Sequence, residues 1–379
     1  MRIEQKAYSQ STGWETIRTD NLDPHLVNLV LVFGSTTLLR DKKNYENIKA
    51  IYPNANILMN STAGEIIDTH VNDETLSLTA IYFEKTKLKT ASINIKDSAD
   101  SFKAGYKLAS VFDGHELVNV LVISDGQLVN GSDLVLGLQE FLPPDTIITG
   151  GLAGDGANFK NTLVGLNEIP SEGKIVAIGF YGKSLIVNYG SVGGWDSFGV
   201  ERLITRSEHN VLYELDDQPV LDIYKMYLGD YAKDLPGSGL LFPLSIRTSG
   251  STHQIVRTIL AVNEEGKSMT FAGNMPMGAY AQLMKANFDK LIEGASNAAI
   301  NSQKDKNNSP DIAILISCVG RKLVLDQRIE EEVEAIRANY GDKTAITGFY
   351  SYGEISPSYN LMKCELHNQT MTITTMTEE

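Results

Sequence analysis

Asn119-Val-Leu-Val-Ile-Ser-Asp-Gly126 is a short apolar run that ends in small and acidic residues. Thr146-Ile-Ile-Thr-Gly-Gly-Leu-Ala-Gly-Asp-Gly156 is a second run, which breaks into glycines. Apolar runs of this length, bounded by glycine and aspartate, read as buried strands. Between them, residues 131–141 predict an amphipathic helix, with Leu134, Leu136, Leu138 and Leu142 placed for burial. The same order recurs on either side. Asn28-Leu-Val-Leu-Val-Phe-Gly-Ser35 is followed by a helical segment, Asn56-Ile-Leu-Met59 and the loop Asn60-Ser-Thr-Ala-Gly-Glu-Ile66. Asp311-Ile-Ala-Ile-Leu-Ile-Ser-Cys318 is followed by a helix carrying Ile329, Val333 and Ile336, then by Thr347-Gly-Phe-Tyr-Ser-Tyr-Gly-Glu-Ile355.

From strand start to loop glycine the spacing is 36 residues (Asn28 to Gly64), 35 (Asn119 to Gly154) and 42 (Asp311 to Gly353). Each of these glycines precedes an acid, Glu65, Asp155 or Glu354, and each loop leads into strand-rich sequence rather than a helix. The prediction is an α/β fold of repeated strand-helix-strand units, forming mixed sheets layered with helices. Loops that feed strands argue against a pure doubly wound arrangement.

The span between the second and third copies differs. Residues 240–244, 258–262 and 268–271 read as strands, and Asn274-Met-Pro-Met-Gly-Ala-Tyr280 as a turn into a helix reaching about Ala298. Polar residues 302–309 read as a loop. The expected domains are 25–215 and 216–376, with the boundary falling between residues 205 and 230.

At 379 residues, 42% hydrophobic and 21% charged, the composition is that of a folded globular protein. A formal charge of -14 with no basic run opposes nucleic-acid binding. Two cysteines build no disulfide framework, and no CxxC occurs. With neither a signal-peptide core nor a long apolar run, the expectation is a cytoplasmic protein without membrane insertion.

The stretches Ser124-Asp-Gly-Gln-Leu-Val-Asn-Gly-Ser132, Thr149 to Phe159, Gly193-Gly-Trp-Asp-Ser-Phe-Gly199, Asn210-Val-Leu-Tyr-Glu-Leu215, Tyr352-Gly-Glu-Ile355 and Leu366-His-Asn-Gln-Thr-Met371 resemble the FIST sensory proteins, from about residue 25 to 376. The resemblance implies an N-terminal and a C-terminal FIST half sensing a small ligand in bacterial signalling. Amino acids are one proposed ligand class, and one stand-alone branch binds haem, senses nitric oxide and regulates a partner histidine kinase. Because the sequence carries only the two halves and no recognisable kinase or cyclase, a separate signalling partner is expected.

A haem would need an axial ligand, and histidine is the commonest nitrogen donor. His367, inside the matched Leu366–Met371 motif, is the candidate by resemblance. Of the loop acids, Glu65 reads as a turn cap, whereas Asp125 and Asp155 stand between capping and ligand binding. Gly150, Gly151 and Gly154 offer backbone donors, and the loop residues Glu354, Tyr352, Trp195 and Phe198 are candidates for a ligand pocket. Arg202 and Arg206 would supply cations for an amino-acid ligand. His115-Glu-Leu-Val-Asn119 lacks the second histidine of a zinc-protease motif, and no G-x-S-x-G or Walker loop occurs. The alternative to a sensor is a small-molecule hydrolase or transferase using the loop carboxylates or Cys318.

Overall fold

The computed structural model describes residues 1–303, 309–358 and 363–379, so most of the expected loop at 302–309 lies outside the described residues. Three repeats organise the chain. The first comprises β1 (Arg2–Ser9), β2 (Leu29–Gly34), α1 (Lys42–Ile51), β3 (Asn56–Ser61), β4 (Glu65–Ile67) and β5 (Leu76–Tyr82). In the second are β6 (Lys87–Asn94), α2 (Ser101–Ala109), β7 (Leu117–Ser124), α3 (Gly131–Phe141), β8 (Ile147–Leu152), β9 (Val164–Leu166) and β10 (Lys174–Tyr181). The third begins with β11 (Leu185–Val192) and resumes, after a long insertion, with α4 (Phe288–Asn301), β12 (Ile312–Cys318), α5 (Val319–Leu325) and α6 (Ile329–Tyr340). It ends with β13 (Ala345–Ser351), β14 (Gly353–Pro357), β15 (Cys364–His367) and β16 (Met371–Glu378).

Each repeat builds its own mixed sheet. The two strands flanking the crossover helix pair in parallel: β2 with β3, β7 with β8, β12 with β13. The strand that closes the repeat returns antiparallel to the first of them. Side chains alternate across the sheets as the pleat requires. Leu29, Leu31 and Phe33, Leu121 and Ile123, and Ile312, Ile314 and Ile316 meet in one shared core. The intervening Val120 and Val122 face Leu134 and Leu138 of α3, and Val30 and Val32 face Ile48 and Tyr52. Leu136 lies on the outer side of α3, 44% exposed, because it falls two positions from the buried stripe.

The short strand after each glycine-acid loop leaves its own repeat. β4 pairs with β13 of the third repeat, β9 with β3 of the first, and β14 with β8 of the second. The loops themselves join in the same ring. Gly154 N–H donates to the Ser61 carbonyl at 3.0 Å, Ala63 N–H to the Tyr350 carbonyl at 2.8 Å, and Tyr352 N–H to the Leu152 carbonyl at 3.1 Å. Glycine is required where this packing is closest: a Cβ on Gly150, whose φ is +146°, would overlap the Val122 carbonyl oxygen.

The insertion forms an antiparallel sheet with its own core of Ile204, Leu212, Leu244, Met269, Phe271 and Leu283. Tyr280–Lys285, expected within a helix, is a strand of this sheet, paired on one side with Leu244–Arg247 and on the other with Asp196–Glu208. Its buried residues Ala281 and Leu283 alternate with partly exposed ones, and the helix starts only at Phe288, capped by the Asn287 side chain. Among the described residues, no helix is long and apolar enough to cross a membrane.

Candidate functional site

A cavity of about 720 Å³ opens between the second repeat and the insertion. One wall is the turn from Gly126 to Gly131, which leads from β7 into α3. Leu152, Phe159 and Tyr352 line the adjoining surface, while Leu240, Ile259, Ala261 and Phe271 come from the insertion. Among the described lining residues none is acidic, basic or a histidine, and the polar ones are neutral: Gln127, Asn130, Asn210 and Tyr352.

The acids flanking this cavity set its shape. Asp125 is 1% exposed; Oδ1 accepts the Gln127 and Leu128 N–H groups and Oδ2 accepts Gly173 N–H, each at 2.8 Å. The turn is thereby held in a form that the sequence alone leaves free. Asp155 accepts N–H bonds from Lys160 at 3.0 Å and Asn161 at 2.8 Å, and accepts a hydrogen bond from the Tyr352 hydroxyl. That hydroxyl in turn accepts Asp155 N–H and Phe159 N–H, both at 3.1 Å. Burial and the Asp155 carboxylate push the Tyr352 phenol well above its usual range, so it stays protonated. The Phe159 ring stacks on Tyr352 with centroids 4.6 Å apart, forming a flat apolar wall.

The other two loop acids occupy separate cradles. Glu65 is held by Thr62 and by the Thr75 N–H and hydroxyl; Glu354 is held by Ser351 and by the Thr370 N–H and hydroxyl. Burial raises both carboxyls, to about 7 for Glu65 and about 8 for Glu354. The described residues bring no three of His, Cys, Asp and Glu together as a metal site.

Of the sequence candidates, Tyr352 lines the cavity, and Asp125 and Asp155 hold the loops that form it. Gly150 and Gly151 lie within β8, paired with β14 and β7, and Gly154 packs against Ala63. Trp195 sits where the insertion joins the third repeat, against Met284, Leu291 and Val324, and donates to the Gln369 carbonyl at 2.8 Å. Phe198 packs edge-on against Tyr227 and Phe242 inside the insertion. Arg202 pairs with Asp216 and Arg206 with Glu214. The sequence reading missed the insertion wall, whose Leu240, Ile259 and Phe271 carry no signal beyond ordinary strand patterning.

His367 is buried in β15, its Nε2 3.0 Å from the Ser356 carbonyl oxygen, and burial lowers its pKa to about 4. A haem in the larger cavity finds no His, Cys or Met among the described lining residues, and the Tyr352 oxygen is already engaged by Asp155. These residues do not fit an axially ligated haem there. Cys318 is 1% exposed, and burial pushes its thiol up rather than toward a thiolate. Arg321, the cation nearest to it in sequence, is bound instead to Glu332 and to the Gly193 and Leu291 carbonyls.

The profile of the FIST N domain matches residues 28–218 and that of the FIST C domain matches residues 221–357. The chain belongs to the FIST family, whose domains are small-ligand sensory modules of signalling proteins. No curated protein matches it significantly.

Proposed function

We propose that this protein is a non-catalytic cytoplasmic sensor whose small ligand occupies the cavity between the second repeat and the insertion. A separate signalling protein, such as a histidine kinase, reads the occupied state. The observation that carries this reading is the cavity itself: about 720 Å³, walled by the stacked Phe159–Tyr352 pair and apolar strand residues. Cavities of this size with a few neutral polar groups suit small organic ligands. Absence of ionised side chains from the described walls favours an uncharged, flat molecule over a zwitterion, since an unpaired charge is costly to desolvate. Because the two walls come from different sheets, a ligand touching both would stabilise their present arrangement, which a partner can detect.

Thermal shift of the full chain tests this with three probe sets: haemin, the common amino acids, and uncharged aromatic compounds such as indole. The expected result is saturable stabilisation by a member of the uncharged set, lost in Ala261→Trp, which places a large ring in the cavity. Stabilisation confined to haemin or amino acids, or an uncharged response that Ala261→Trp leaves intact, would refute the assignment.

A further inference from the structure

A second cavity, of about 370 Å³, lies on the other side of the same junction, between α3, β15 and the strands of the insertion. Its walls hold Arg247, His253, Arg257, Lys363 and Glu365 together with Ser132. Most of these charges are matched. Arg247 forms a two-pronged ion pair with Glu201, at 3.0 and 2.8 Å. Glu365 lies 2.8 Å from His253 and accepts from Ser358; burial opposes its charge, but these bonds hold its pKa near 2.

Arg257 is the exception. It is 5% exposed, yet among the described residues no carboxylate lies within ion-pair distance. Nε donates to the Asn274 carbonyl at 3.3 Å, and Nη1 to the Val256 and Leu366 carbonyls at 3.3 and 2.9 Å. Nη2 donates to nothing among the described residues. Burying a guanidinium without a directly paired anion is costly: desolvation shifts this one down to about 10, and the more distant Glu365 carboxylate offsets only part of that. Gly273 leaves room for it: a Cβ there would stand 2.8 Å from Nε, 3.0 Å from the guanidinium carbon and 3.1 Å from Ser132 Oγ. Ser132 Oγ accepts Asn274 N–H at 3.3 Å, and its own proton has no acceptor among the described residues. A fixed guanidinium edge and a free hydroxyl flank the same glycine, with exposed Lys363 adding positive charge.

We propose that this second cavity binds a small oxyanion, a carboxylate or a phosphate group, between Arg257 and Ser132. A planar guanidinium suits either group, and the anion supplies the direct counter-charge that Glu365, bound to His253 and Ser358, gives only at a distance. Neither Arg257 nor Ser132 lines the larger cavity; Gly273, which both flank, does, so the two sites are separate but adjoin at that glycine.

The test is thermal stability of the full chain titrated with inorganic phosphate and, separately, acetate, each against sodium chloride at matched ionic strength. A saturable rise is expected with at least one oxyanion. Phosphate alone acting identifies a phosphate site, and acetate alone a carboxylate site. Arg257→Gln should abolish the response, and Ser132→Ala should weaken apparent affinity about tenfold. If Arg257→Gln does not fold, Ser132→Ala decides: an unchanged titration overturns the proposal. So does the absence of saturation with both oxyanions, or a folded Arg257→Gln that responds like the wild type.

Discussion

Tyr352→Phe removes a single oxygen from the most connected point of the proposed ligand site. That hydroxyl accepts Asp155 N–H and Phe159 N–H at 3.1 Å and donates a hydrogen bond to the Asp155 carboxylate. Phenylalanine keeps the ring and therefore the stack on Phe159, so the loss is one of hydrogen bonding alone. A buried donor without a partner costs about 1–3 kcal/mol. Asp155 is buried and Phe159 half-buried, so the lower figure for each of the two N–H groups sets a floor of about 2 kcal/mol. Spent on the local opening of residues 155–161, this raises the open population roughly thirtyfold. Amide hydrogen exchange resolved to that segment is the assay, with β7 and β12 as internal references that should not change. Protection at 155–161 within about twofold of wild type would refute the argument, because the hydroxyl would then not be holding the loop.

The pH dependence of stability carries two further expectations of opposite sign. Glu354 has its folded pKa raised from 4.5 to about 8, so its stabilising contribution is complete below pH 4.5 and is lost as pH rises through 8; Glu354→Gln, which retains the neutral form, should flatten that alkaline decline in chemical denaturation. His367 has its folded pKa depressed from 6.5 to about 4, so its contribution is complete above pH 6.5 and is lost as pH falls through 4. The full difference is about 3 kcal/mol, and His367→Gln should remove this acid-side decline, read as the difference between stability at pH 8 and at low pH in each protein. Cys318 and Cys364 are both buried free thiols, so Ellman's reagent should find no fast-reacting thiol in the native chain and two after denaturation. A fast thiol abolished by Cys318→Ala would revive the enzyme alternative.

The three strand-helix-strand units were legible because each strand is an unbroken apolar run and each loop repeats a glycine followed by an acid. These are local signals that survive in any context. The partners of β4, β9 and β14 were not legible: three- to five-residue strands carry too little pattern to name a partner more than a hundred residues away. Tyr280–Lys285 was misjudged because Ala, Gln, Leu, Met and Lys favour helix in isolation, and two flanking strands override that preference. In the site, Asp125, Asp155 and Tyr352 stood out as polar residues among glycines. Arg257, in ordinary strand sequence, became conspicuous only when the fold buried it with backbone carbonyls as its described partners.

The ring of exchanged strands also governs how the chain comes into being. Sheet one can be completed once the second repeat has been synthesised, because its outer strand β9 follows directly. β4 must wait for β13, and β8 for β14, until almost the whole polypeptide has left the ribosome. During that interval the nascent N-terminal half carries unpaired strand edges, the feature most prone to wrong association. An N-terminal FIST fragment expressed alone would hold the molecule permanently at that stage.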